Sequence, residues 1–90
     1  MRHFYSEMDE ISLTYCDPYE NEDGLDIISL HFERPRYMGF DTLDTSLPVL
    51  YPQKVVGFSK EEVEDLLQYA RDNAPLIWSL AREQEAACHK

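Results

Sequence analysis

Ninety residues with a formal net charge of −10 make room for one domain with a single modest core. That charge argues against a nucleic-acid partner, because phosphate backbones are held by basic patches that release counterions. Apolar and charged fractions of 43% and 29% exclude a disordered chain. No apolar run approaches a membrane span, and the polar start (Arg2, His3, Ser6, Glu7) is no signal peptide, so neither a membrane nor export is expected and the chain reads as cytoplasmic.

The charge is unevenly spread. Residues 1–26 hold eight acidic side chains against Arg2 alone. Such a field favours solubility and steers a basic protein partner. Cys16 and Cys88 stand far apart, outside any C-x-x-C pair, and read as free thiols. Cys88-His89 lacks companions for a metal site, so no metal and no cofactor are expected.

In chain order, residues 1–9 are either a short leading strand or an arm. From Glu10 to Cys16 the chain alternates, with Ile11, Leu13 and Tyr15 on one face, which predicts a half-buried strand. Asp17 to Gly24 is a loop, opened by Asp-Pro and closed by Asp-Gly. Its acidity suggests calcium, but aligning Gly24 with the EF-hand glycine puts Tyr19 and Leu30 at obligatory ligand positions, which excludes the hand. Leu25 to Arg34 is the strongest strand, ended by Pro35, and residues 36–39 connect it to a third strand over Phe40–Leu47. Pro48 stops that strand; residues 49–52 are extended and predict an edge.

Phe58 to about Glu85 reads as the organising helix. Ser59 and Glu62 have capping-box spacing, and Phe58 and Val63 have that of a hydrophobic staple. Val63, Leu66, Leu67, Ala70, Ala74, Ile77, Trp78 and Ala81 form one apolar stripe. Pro75 interrupts it, predicting either one kinked helix or two helices with Asn73 capping the second. Trp78 is expected in the core. Leu76 and Leu80 fall off the stripe and either widen it or face a second molecule. Residues 86–90 are expected to fray.

The order of elements predicts an α+β fold: an antiparallel meander of three to four strands with the helix across one face, all in one domain spanning 1–90. Face matching then suggests register. A first hairpin folded about the middle of the acidic loop sets Leu13 opposite Ile28; a second sets Phe32 opposite Leu43 and Ile28 opposite Leu47. On the other face His31 then lies between Glu10 and Asp44, an arrangement able to orient a general acid or base. Ser12, Ser29 and Ser46 are nearby hydroxyls with no nucleophile motif around them. Phosphate-loop, dinucleotide, G-x-S-x-G and H-E-x-x-H patterns are missing from the sequence.

Two functions are consistent with these features. The first is a non-enzymatic protein-binding module, immunity- or antitoxin-like, that inhibits a basic target or pairs with its own second copy. Its contact candidates are Leu76, Leu80, the edge residues Val49 and Tyr51, and Arg36 and Tyr37 at a hairpin tip. The second is a small hydrolase or metal-dependent enzyme using Glu10, His31 and Asp44.

Overall fold

The structure, a computed structural model, describes residues 2–88, with side chains as far as Glu83. Six strands precede one helix: β1 (Arg2–Met8), β2 (Ile11–Cys16), β3 (Tyr19–Glu20), β4 (Asp26–Arg36), β5 (Gly39–Leu47), β6 (Lys54–Val56) and α1 (Lys60–Cys88). All pairings are antiparallel in the spatial order β1-β2-β4-β5-β6, with β3 added beside the start of β4. The class is α+β, as expected, but the sheet has more than three or four strands.

The extra strands have local causes. β1 pairs along its length with β2, closing through a two-residue turn at Asp9 and Glu10, both at positive φ. Its alternation is hidden in sequence by a bulge between Phe4 and Ser6. The extra residue puts neighbouring Tyr5 and Ser6 within reach of α1. Tyr5 donates through its hydroxyl to Asn73 Oδ1 at 2.7 Å, and Ser6 Oγ shares a hydrogen with the Tyr69 hydroxyl at 2.7 Å. Burial, and then the neighbouring Tyr69, raise the pKa of Tyr5.

The expected edge at residues 49–52 is displaced. After a cis Leu47–Pro48 bond the chain turns back on itself, Tyr51 N–H donating to the Val49 carbonyl, and Thr45 Oγ1 donates to the Tyr51 carbonyl. These bonds consume groups a strand would offer to a neighbour, and the edge forms at Lys54–Val56 instead. Nor does Pro35 end its strand. It lies beyond the last β2–β4 pair, Ser12↔Glu33, where β4 is paired on one side only and a proline is tolerated.

The β4–β5 register is the expected one, with Phe32↔Leu43 and Ile28↔Leu47. The β2–β4 register is not: Leu13 pairs with Phe32 and Tyr15 with Leu30. The hairpin turns later than the middle of the acidic stretch because Asn21 builds the turn. Its Oδ1 accepts from the N–H of Asp23 and of Leu25, both at 2.9 Å, and Gly24 supplies the positive φ. Tyr19 and Glu20 are left to pair with Ile27 and Asp26. The displacement is an even number of residues, so the apolar set stays on the helix side.

The core lies between that face and the helix. Leu13, Tyr15, Ile28, Leu30, Phe32, Leu43 and Leu47 meet Phe58, Val63, Ala70, Ile77 and Ala81, with Trp78 and Leu66 packed at the margin. Alanines along the stripe let the helix backbone approach the sheet. Each larger side chain so buried is worth about 1.5–3 kcal/mol. The helix start is as read: Glu62 N–H donates to Ser59 Oγ at 3.1 Å, and Ser59 N–H to Glu62 Oε1 at 2.9 Å. Phe58 and Val63, the staple pair, are both buried. Pro75 sits inside one continuous helix, exposed, so the alternative of two helices is not realised. Asn73 caps nothing; its amide donates back to the Tyr69 carbonyl at 2.8 Å. Residues 86–88, expected to fray, are helical, while residues 89–90 lie outside the described residues, as does the Cys88 side chain.

Candidate functional site

Each sequence-derived candidate has a definite place. His31 and Asp44 are cross-strand partners on the sheet face away from the helix, with His31 Nδ1 and Asp44 Oδ1 2.5 Å apart. Glu10 is not with them. The later β2–β4 register puts Thr14 opposite His31, and Glu10 occupies the exposed β1–β2 turn. The second carboxylate is Glu33, two residues along the same strand, with Oε1 3.3 Å from His31 Nε2. Same-face neighbours at i and i+2 were the signal for it. Both ring nitrogens therefore point at carboxylates. Ser12 donates to the Glu33 carbonyl. A shallow depression of about 310 Å³ reaches Asp44 and Ser29 but is not lined by His31. Among the described residues, no group of three or more His, Cys, Asp or Glu side chains is placed to hold a metal ion.

On the helix side the focus is Arg34, which follows Phe32 on the inward face of β4. Its Nε and Nη2 donate to Asp41 Oδ2 at 2.9 and 2.6 Å, and its Nη1 donates to Glu62 Oε2 at 2.6 Å. The guanidinium lies 4.7 Å from the centre of the Phe58 ring. Arg36 Nε reaches the same Asp41 oxygen at 2.7 Å. Asp41 is only 5% exposed. Burial pushes its carboxyl pKa up, but hydrogen bonds from Arg34 and then Arg36 outweigh this and hold it below the usual range. Arg34 in turn, and then the Ser59 backbone N–H, hold Glu62 down to about 2. The Glu62 and Asp41 carboxylates raise the Arg34 pKa further. One arginine thus ties two strands to the helix cap. The predicted β4–β5 register already set Arg34 opposite Asp41, and the capping box already fixed Glu62.

Two surfaces flank this network. The first is the β4–β5 turn, where Tyr37 and Met38 are 98% and 87% exposed and Phe40 is exposed beside them. The second is a cleft of about 420 Å³ between the β1–β2 hairpin and the start of α1, floored by Ile11, Leu13, Phe32 and Leu66. The remaining contact candidates are dispersed: Leu76 and Leu80 are exposed along α1, and Val49 and Tyr51 are exposed in the β5–β6 connection. Trp78 packs on the core with the Arg82 guanidinium 5.0 Å from its ring centre. No described helix is long and apolar enough to cross a membrane.

Comparison with known protein families, with curated proteins and with solved structures finds no match to this chain.

Proposed function

We propose that the chain is a non-enzymatic protein-binding module that engages a basic partner through the β4–β5 turn. The observation that carries this reading is the exposure of Tyr37 and Met38 on a turn whose base is fixed by Asp41, held by Arg34 and Arg36 together. Tyrosine, methionine and arginine are enriched where protein partners meet, and a preorganised turn loses little entropy on binding. The net charge of −10 favours a basic partner over a second copy, which would bring the same charge. Inhibition of a basic enzyme, as immunity and antitoxin proteins achieve, is the concrete form of this role. The alternative of a hydrolytic or metal-dependent enzyme finds less support, because the carboxylates around His31 engage both its nitrogens.

The test is a photo-crosslinking residue placed at Tyr37, and separately at Leu76, in cells that naturally make the protein. A basic protein captured from position 37, in a salt-sensitive manner and not from position 76, is the expected result. Capture from position 76 alone, or of acidic proteins only, would reject the turn as the contact.

A further inference from the structure

We infer that the cleft between the β1–β2 hairpin and the start of α1 receives one lysine or arginine side chain of the partner. The inference rests on the reading above and adds where the partner's charge is read.

The cleft's volume of about 420 Å³ exceeds what one long side chain needs, and its floor of Ile11, Leu13, Phe32 and Leu66 suits an aliphatic stem. Its charges select the head group. Arg34 reaches the cleft, but its donors are directed at Asp41 and Glu62. Glu62 is likewise occupied, one oxygen facing Arg34 and the other the Ser59 N–H. Ser6 and Tyr69, which also line the cleft, bond to each other. What remains is Asp9 and Asp65, both exposed, whose carboxylates make no hydrogen bond or ion pair with another described residue.

An anion would therefore meet two uncompensated carboxylates and find the arginine already engaged. A neutral apolar ligand would cover those carboxylates without pairing them, at a desolvation cost. A cationic head on an aliphatic stem satisfies floor and rim together. Asp9 comes from a strained turn and Asp65 from the second turn of the helix, so the site exists only once the β1–β2 hairpin is docked on α1.

The experiment titrates ¹⁵N-labelled full chain with N-acetyl-arginine N-methylamide and, in parallel, with its citrulline counterpart, which keeps the shape and loses the charge. Saturable amide shifts concentrated in residues 6–13 and 62–69 are expected with the arginine probe. The citrulline probe, and the D9N/D65N variant with the arginine probe, should bind weaker by a factor of about five or more. Equal shifts from both probes, no shifts at all, or shifts centred on the acidic loop at 20–26 would each overturn the inference. Capture through position 37 decides the underlying reading separately. A partner captured as well by D9N/D65N as by the parent chain would remove the cleft from the interface and leave the module reading standing.

Discussion

Asp41 occupies the space that a side chain at Gly57 would need. A Cβ built on Gly57 would lie 1.9 Å from Asp41 Oδ1, and the backbone there has φ +84°. The buried carboxylate and the bare backbone are one arrangement, because the chain must pass close to Asp41 to deliver Phe58 and the helix cap to Arg34. Gly57→Ala should therefore strain the backbone and displace Asp41 together. The strain alone is worth about 1–2 kcal/mol, or a melting temperature lower by roughly 5–15 °C. Thermal melts followed by circular dichroism check this, and an unchanged melt would refute the close approach.

Acid should loosen the same junction. Glu62 has a folded pKa of about 2, below its unfolded value, and Asp41 and Asp17 are lowered as well, Asp17 chiefly by its hydrogen bond with His3. A carboxylate lowered on folding stabilises fully above its unfolded pKa and loses that contribution as pH falls through the folded one. Stability should thus decline from about pH 5 down to pH 2. Urea unfolding of the parent chain and of Glu62→Gln across that range tests the assignment. The variant should be less stable at neutral pH and show a shallower acid decline.

The β1–β2 turn carries removable strain. Both its residues have positive φ, 51° at Asp9 and 68° at Glu10. This is the geometry in which Asn-Gly is favoured. Glu10→Gly should stabilise the chain by about 1 kcal/mol, read as a higher urea midpoint with an unchanged slope. Destabilisation would mean that the Glu10 side chain makes a contact outweighing its backbone cost.

Pro75 is a second place where stability is withheld. It removes one helical N–H and crowds the Arg71 carbonyl, at a cost near 3 kcal/mol in a straight helix. Part of that is recovered because proline also restricts the unfolded chain. Pro75→Ala should raise stability by about 2 kcal/mol, measured by equilibrium denaturation. A neutral result would show that the helix already bends to accommodate the ring.

What sequence could show depended on whether side-chain alternation ran uninterrupted. β4 alternates over the paired stretch, and although β5 is less regular, matching its Leu43 and Leu47 to the inward residues of β4 was enough to set Phe32 opposite Leu43, and Arg34 opposite Asp41 came with it. The cap at Ser59 and Glu62 was legible because both partners lie within four residues. β1 was obscured by its bulge, which breaks the two-residue period at the point where the strand meets the helix. The β2–β4 register depended on where the acidic loop turns. That was decided by the side chain of Asn21, not by any apolar pattern, so Glu10 was set beside His31 when Glu33 belongs there. The cleft was invisible in sequence because it forms between the β1–β2 hairpin and α1, where the bulge in β1 brings Tyr5 and Ser6 to the helix.

The bulge in β1 also governs how copies of this protein meet when charge no longer separates them. Near the isoelectric point mutual repulsion vanishes, and sheet proteins with long regular edges then zip together edge to edge. Here one outer edge is kinked between Phe4 and Ser6, and the other is three residues long and begins with Lys54. Neither offers a regular ladder for a neighbour to extend. Molecules brought together at that pH should adhere through exposed side chains into amorphous, redissolving precipitate, without templating the ordered growth of fibres.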